Sequence, residues 1–312
     1  MTGRMRERER ERGSFRTVTL LVAVPLCGMV IFFMWQWLNG GITPEEAYVE
    51  TKAAILPSSS RPPRERVGEA PAAPQASALP RVTPKRQKAK AAKGHRGDIV
   101  LIIDDLGFDG QPLERLMALD PNVNVAILPN GTRASEFANR LHERGFEVLC
   151  HLPMQPRGKE TPGRNAILTS MSDEEIARAT RENIEAVPHA RGVNNHMGSL
   201  ATSDRRVMNS VIGAMPDGMY FIDSRTAGGS VASDVARELN VRTAARHVFL
   251  DDSATESAVR RQLQALAEAA EKRGVAIGIG HPYPVTMRVL ADELPGLRAR
   301  GFRLVRASSI VQ

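Results

Sequence analysis

The sequence predicts an α/β fold for residues 98–312, built around a parallel sheet. Short apolar runs recur along this part of the chain, and stretches with helical periodicity separate them. The runs are continuous and do not alternate with polar residues, as expected for parallel strands that are covered on both faces. Eight strand–helix units favour a (β/α) barrel of seven or eight parallel strands, with an open doubly wound sheet as the alternative.

The N-terminal part of the chain predicts one transmembrane helix. A basic tail occupies residues 1–16, and residues 17–38 contain no charged side chain. A helix of this length spans a hydrocarbon core of roughly 30 Å, and it exceeds the apolar region of a cleaved signal peptide, which is the alternative. The arginines of the tail predict a cytoplasmic N-terminus, so we expect the rest of the chain to lie in the periplasm of a bacterium, anchored to the inner membrane.

Residues 39–97 predict a disordered linker, because they are rich in Pro, Ala, Ser and Lys and poor in large apolar groups.

The tail and linker also explain the net charge of +7: residues 1–97 hold 17 Lys and Arg against 8 Asp and Glu, whereas the remainder holds 25 Lys and Arg against 27 Asp and Glu. Only 4% of the residues are aromatic. Without a basic surface or a set of stacking side chains, we expect no binding to nucleic acid.

The apolar runs and periodic stretches of the domain place its elements. We predict strands at residues 99–103, 123–128, 146–150, 192–195, 219–222, 245–250, 275–279 and 302–305. We predict helices at residues 111–119, 134–144, 173–187, 204–215, 231–239, 254–273 and 286–300.

Capping signals support these helix boundaries. Ser172 with Glu175, and Ser253 with Glu256, have the spacing of capping boxes. Three glycines stand where a helix end favours a residue with positive φ: Gly145, Gly274 and Gly301. Cys150 lies in an apolar strand and is interpreted as a core residue, not as a nucleophile.

Acidic residues and histidines follow the predicted strands, and this is the main functional signal of the sequence. Parallel strands deliver the residues at their carboxyl ends to one edge of the sheet, so these side chains should converge. Three of the seven histidines in the chain belong to this set. Its members are Asp104, Asp105, Pro129, Asn130, His151, His196, Asp223, Asp251, Asp252 and His281.

The set predicts a metal site. A zinc ion in a catalytic site takes three protein ligands and keeps one open position, and Asp105, His151 and His196 could supply the three. No local spacing demonstrates this site, since the three residues follow different strands. Buried histidines that only form hydrogen bonds are the alternative.

Several ordered motifs resemble the divergent polysaccharide deacetylase family. They are IVLIIDDLG at residues 99–107, EVLCHLPMQP at residues 147–156, GVNNHMGS at residues 192–199, FIDSRT at residues 221–226 and GIGHP at residues 278–282. The resemblance covers residues 98–312 and implies a distorted (β/α) barrel. It also fits a single N-terminal membrane segment.

The resemblance to the wider carbohydrate deacetylases implies roles for individual residues. In those enzymes the first Asp of an Asp-Asp pair is the catalytic base and the second binds the metal, which corresponds here to Asp104 and Asp105. His151 corresponds to the first of two metal-binding histidines that stand four residues apart. The second is replaced by Gln155, and His196 could substitute for it as a ligand.

The same resemblance implies that His281 is the general acid and that Asp223 orients it. The tryptophan that usually accompanies this Asp is missing, since residues 98–312 contain no Trp. The expected activity is metal-dependent hydrolysis of N-acetyl groups on an envelope glycan. Two alternatives remain: a non-catalytic envelope protein that binds a glycan or a protein, and a metal-dependent hydrolase acting on another amide or ester.

Overall fold

A computed structural model describes residues 94–312 and shows a curled parallel sheet with helices packed on its outer face. The strands are β1 Gly97–Leu106, β2 Asn124–Ile127, β3 Glu147–Met154, β4 Gly192–Met197, β5 Tyr220–Asp223, β6 Thr243–Ala245, β7 Val248–Phe249, β8 Val275–Gly280 and β9 Phe302–Leu304. The helices are α1 Leu113–Met117, α2 Ala134–Glu143, α3 Asp173–Glu185, α4 Arg205–Gly213, α5 Ala232–Glu238, α6 Glu256–Arg273 and α7 Pro284–Ala299. Two short 3₁₀ helices span Ala201–Ser203 and Ala307–Ser309.

The strand order makes the sheet a curled half-barrel. The order is β6-β5-β4-β3-β2-β1-β8-β7, every pair is parallel, and β9 adds to β1. The two ends of this order, β6 and β7, are consecutive in the chain. The sheet therefore curls until its two edges are separated only by Arg246 and His247.

The structure corrects the prediction of one strand at residues 245–250. Arg246 donates its backbone N–H to the carbonyl of Asp223, at the end of β5, whereas His247 donates to the carbonyl of Ile277 on β8. The segment thus changes its partner strand between two neighbouring residues. For this reason it forms two short strands where the apolar pattern indicates one.

The apolar side chains of the sheet form two buried clusters, one on each face. On β1, Ile99, Leu101 and Ile103 belong to the larger cluster, which also contains the buried residues of the helices. Val100 and Ile102 belong to the smaller cluster, to which, within residues 94–312, no α-helix contributes a buried residue, although Ala307 of the second 3₁₀ helix does. This smaller cluster fills the inner side of the curl, because successive side chains of a strand point to opposite faces.

Helix capping follows the sequence signals in most places. Ser172 and Glu175 form the predicted capping box at the start of α3, and the three glycines at predicted helix stops all have positive φ. The box predicted for Ser253 and Glu256 is wrong. Thr255 caps α6 instead, and its hydroxyl accepts the N–H of Ala258, so α6 begins at Glu256.

Within residues 94–312, no helix has the length and apolar character needed to cross a membrane. The helix predicted at residues 17–38 and most of the predicted linker lie outside the described residues.

Candidate metal and catalytic site

The inner face of the sheet carries polar side chains at its carboxyl edge. Asp104, His151 and His281 each stand two positions after a residue of the inner apolar cluster on their own strand, so the strand alternation directs them to the same face. Asp104 and His151 are buried. The apolar interior of the curl therefore ends in a layer of titratable groups.

A bulge in β1 brings Asp105 to the same place. From Ile103 to Leu106, β1 advances three positions while β2 advances two, so one residue of β1 is extra. Asp105 has a φ of 60°, which is uncommon for a residue other than glycine. Bulges next to active sites re-aim side chains, and this one explains how two adjacent aspartates both reach the inner edge. The sequence shows the two acidic residues but gives no sign of the bulge.

Asp105, His151 and His196 form a cluster that could hold a metal ion. The Nδ1 atom of His196 lies 2.8 Å from Oδ1 of Asp105, and Nε2 of His151 lies 3.2 Å from the same oxygen. The two nitrogens are 3.3 Å apart. Tetrahedral zinc with bonds near 2.1 Å would separate its ligand atoms by about 3.4 Å, so the three spacings are close to those of a metal site.

The surroundings of Oδ1 of Asp105 test whether these three residues fit a metal ion. The atom is buried, and among the described residues it has no hydrogen-bond partner of acceptable geometry, although two histidine nitrogens are near it. A buried acceptor without a donor is costly unless another group satisfies it. The donor set of one carboxylate and two imidazoles is one that zinc prefers. These residues fit a divalent ion.

Asn194 orients His151 for this role. Its amide nitrogen donates to Oδ1 of Asp104 at 2.8 Å, and its amide oxygen lies 2.9 Å from Nδ1 of His151. Because a carboxylate can only accept, the amide oxygen must face His151, which then carries its proton on Nδ1. The Nε2 atom of the neutral ring is left with its lone pair toward Asp105 and His196.

The charges of the cluster shift the pKa values of its members. Burial favours neutral Asp105, but the close approach of His151 and His196 outweighs burial and holds the Asp105 pKa well below its ordinary range. Burial likewise opposes the charged form of His151, yet Asp104 and Asp105 raise its pKa to about 9. At Asp104, burial is the largest influence and raises the pKa.

His281 lies near the second carboxylate oxygen of Asp105 and is held by Asp251. Its Nδ1 atom lies 2.9 Å from Oδ1 of Asp251, its backbone N–H donates to Oδ2 at 2.7 Å, and Thr286 donates its hydroxyl to the same oxygen. The Nε2 atom of His281 faces the cluster, 3.7 Å from Oδ2 of Asp105. Burial disfavours the imidazolium, but Asp251 and the neighbouring aspartates outweigh it and raise the His281 pKa.

The structure contradicts the prediction that Asp223 orients His281. The carboxylate of Asp223 accepts hydrogen bonds from the backbone N–H of Arg225 and the hydroxyl of Ser230, both at 2.8 Å. Asp223 therefore holds the turn that follows β5. Asp251 takes the orienting position because it follows β7, which pairs directly with β8, the strand that precedes His281.

Gln155 stands where the resemblance implies a second histidine, but its side chain makes structural contacts. Its side-chain oxygen accepts from the backbone N–H of Thr169 at 2.7 Å and from the Thr169 hydroxyl at 2.9 Å. Its backbone carbonyl accepts from Leu200 and Ala201. Gln155 thus ties two loops together, and His196 from β4 joins the cluster in its place.

Sequence reasoning missed two supporting residues. Asn194 precedes His196 by two positions, so the strand period predicts that both side chains share a face, and this signal could have identified it. Asp251 belongs to the set of residues at strand ends, but the sequence does not show that β7 is the neighbour of β8. The structure brings the other predicted site residues together; they are Asp104, Asp105, His151, His196 and His281.

One family model and two bacterial relatives match this chain. The family model described as divergent polysaccharide deacetylase matches residues 101–311. The uncharacterized protein YibQ of Escherichia coli is 38% identical over 216 residues, which cover 69% of this chain and 67% of the relative. An uncharacterized protein of Haemophilus influenzae is 36% identical over 200 residues, which cover 64% of this chain and 71% of that protein.

A solved structure shares the fold. The crystal structure of an uncharacterized protein from Agrobacterium tumefaciens aligns with a TM-score of 0.67 and 19% sequence identity. The alignment covers 70% of this chain and 91% of that chain. At this level of identity the similarity is one of fold alone.

Proposed function

We propose, because this chain belongs to the divergent polysaccharide deacetylase family, that its domain hydrolyses N-acetyl groups on an envelope polysaccharide in a metal-dependent reaction. One observation carries the proposal. A buried carboxylate oxygen without a donor lies between two histidine nitrogens, and a second histidine–aspartate pair faces it across the site.

Asp105, His151 and His196 would hold a divalent ion, and we propose zinc. When bound, such an ion supplies Lewis-acid polarisation of the amide carbonyl and of the attacking water. Asn194 keeps Nε2 of His151 free of a proton in the neutral ring, and partners of this kind typically fix the orientation of a ligating imidazole.

Asp104 is suited to be the general base. One of its oxygens accepts from Asn194, and the other faces the cluster, 3.6 Å from Nε2 of His151. Burial raises the pKa of Asp104, which makes its carboxylate a stronger base than an exposed aspartate. In the proposed reaction Asp104 takes a proton from the attacking water as the water adds to the acetamide carbonyl.

His281 is suited to be the general acid. Asp251 fixes the ring through Nδ1, so Nε2 can carry the proton that the departing amine needs. Burial opposes the charged ring, but Asp251 and the neighbouring aspartates raise the His281 pKa and so favour the protonated form that a general acid requires. The products would be acetate and an amino sugar.

The location of the reaction is part of the same proposal. The uncharged segment at residues 17–38 follows a tail with six arginines, which supports an inner-membrane anchor with a cytoplasmic N-terminus. The domain would then act in the periplasm. A membrane-tethered domain in that compartment has envelope glycans within reach.

A second candidate function is glycan or protein binding without hydrolysis. Gln155 favours it, since this residue occupies the place of a metal-binding histidine and makes structural contacts instead. In that case the metal cluster would organise the pocket but would not support turnover.

Acetate release tests the two candidates. We expect the zinc-loaded full-length chain to release acetate from N-acetylated oligosaccharides, and we expect Asp104→Asn and His281→Gln to slow release by about 10²- to 10⁴-fold each. His142→Gln, on the exposed side of α2, is the matched control and should leave the rate unchanged. Bound zinc without acetate release from any substrate would favour the binding function, and unchanged rates in both variants would refute the assigned roles.

A further inference from the structure

Arg246 lies in the two-residue connection between β6 and β7, where the edges of the curled sheet meet. Its Nε donates to the carbonyl of Ser224 at 2.6 Å, and its Nη2 donates to the carbonyl of Arg225 at 2.8 Å. Its guanidinium carbon lies 4.9 Å from the centre of the Phe249 ring. Three contacts thus hold the guanidinium in one position.

Two of these contacts place the guanidinium on the wall of the candidate site. The Phe249 ring stands edge-on to the ring of His281, with 5.4 Å between their centres. On the other side, the Ser224 hydroxyl accepts from Asn194, the residue that joins Asp104 to His151. One residue, Phe249, thus separates the guanidinium from the proposed acid, and two residues, Ser224 and Asn194, separate it from the proposed base.

The guanidinium keeps donors available for a ligand. A guanidinium has five N–H donors, and the two hydrogen bonds to carbonyls use the edge formed by Nε and Nη2. The edge formed by Nη1 and Nη2 retains two parallel N–H groups. Within residues 94–312, Nη1 has no hydrogen-bond partner and Arg246 forms no salt bridge, although the residue is partly buried.

The surroundings leave the positive charge of Arg246 without a contacting counter-charge. Burial lowers the pKa of Arg246, while Asp104, Asp223 and Asp252 act in the opposite direction, and an arginine remains charged at neutral pH. A parallel pair of N–H groups on a fixed guanidinium matches the geometry of a carboxylate.

We propose that Arg246 forms an anion subsite, so that the substrate is an acidic glycan with a carboxylate close to the reacting acetamide. This inference rests on the proposed function, since the acetamide is what would occupy the metal cluster. The carboxylate would lie beside Phe249, on the same sugar as the acetamide or on its neighbour. Arg246 would also offset the repulsion that Asp104, Asp105 and Asp251 exert on an anionic substrate.

Binding of two matched sugars tests the subsite. N-acetylmuramic acid and N-acetylglucosamine share the acetamide and differ by a lactyl group that carries a carboxylate. Calorimetric titration of the zinc-loaded full-length chain should show about 10- to 100-fold tighter binding of the acidic sugar, the usual gain from a charged hydrogen bond. Free lactate should bind far more weakly than either sugar, because it lacks the acetamide; lactate binding as tight as that of the acidic sugar would overturn the proposal in favour of a general anion site.

Arg246→Gln should remove this preference and leave binding of N-acetylglucosamine unchanged. Arg242→Gln is the matched control, since Arg242 also donates to a backbone carbonyl, that of Gly218, but stands at the opposite end of β6. A preference that survives Arg246→Gln would overturn the proposal. Equal loss of binding to both sugars in that variant would also overturn the proposal, because a residue with a purely structural role would affect both sugars equally.

The failure of the subsite and the failure of the proposed function have different signatures. Acetate release from neutral and acidic substrates at equal rates, with equal binding of both sugars, would overturn the subsite and leave the deacetylase proposal standing. An Arg246-dependent preference for the acidic sugar without acetate release would support the subsite and refute the deacetylase proposal.

Discussion

Single hydrogen bonds decide the chemistry of this site at the scale of the residue. Asn194 forms hydrogen bonds with both Asp104 and His151 and thereby fixes the tautomer of His151. Asp251 fixes the tautomer of His281 through its own hydrogen bond to that ring. Each of these two partners meets its histidine at Nδ1, which leaves Nε2 of both rings directed at Asp105. The ring of His151, a proposed metal ligand, and the ring of His281, the proposed acid, are therefore oriented by the same kind of hydrogen bond.

Replacing Asp251 tests the orientation of His281. Asp251→Asn removes a carboxylate that raises the His281 pKa, so the pKa should fall and the alkaline limb of the pH–rate profile should move to lower pH. The measurement is kcat for acetate release as a function of pH. Asp223→Asn is the control and should leave the profile unchanged, because Asp223 holds the turn after β5. A shift in the Asp223 variant with none in the Asp251 variant would reverse this assignment.

The sequence predicts most residues of the site, and the exceptions have a physical cause. Asp104, His151 and His281 follow from strand ends and the two-residue period, which are local properties. Asp251 and Asp223 both follow strands, and only the order of strands in the sheet determines which one meets His281. That order depends on contacts between distant parts of the chain.

At the scale of the element, a tight contact between two loops lies next to the bulge in β1. A Cβ atom on Gly131 would lie 2.4 Å from the carbonyl oxygen of Gly107, which follows the bulge. The same carbonyl accepts the N–H of Arg133, just before α2. The loops after β1 and β2 therefore pack backbone against backbone beside Asp105.

A methyl group at Gly131 tests this packing. Gly131→Ala should destabilise the protein by about 1 to 3 kcal/mol, because backbone atoms must shift to accept the new carbon. Gly213→Ala is the matched control at the end of α4: a Cβ there meets no atom within 4 Å, and alanine favours a helix over glycine. Urea unfolding measures both variants. Equal stability of the two would contradict the close approach of the loops.

Helices and strands are predictable from the sequence where neighbouring residues alone determine them. The continuous apolar runs located the strands, and Ser172 with Glu175 located the start of α3. The segment at residues 245–250 was mispredicted because its division into β6 and β7 is imposed by two different partner strands. Ser253 failed as a cap because Thr255, two residues later, has the extended backbone and the free hydroxyl that the helix requires.

At the scale of the whole molecule, the curl of the sheet is what creates a site. It brings residues from β1, β3 and β4 and from the ends of β7 and β8 to one inner edge, and the apolar cluster beneath them excludes water. Charges in such a surrounding interact more strongly than in water. Burial opposes a charge on His151, but Asp104 and Asp105 act on it at close range and raise its pKa to about 9, which makes metal binding depend on pH.

Calorimetric titration of the full-length chain with zinc tests the central claim, that Asp105, His151 and His196 hold a metal ion. We expect about one zinc per chain, with affinity that falls roughly tenfold per pH unit below pH 9, because the proton on His151 must leave before the ion binds. Asp105→Ala and His196→Ala should abolish tight binding, whereas Asp223→Ala should retain it. Tight zinc binding by both ligand variants, with no dependence on pH, would contradict the account.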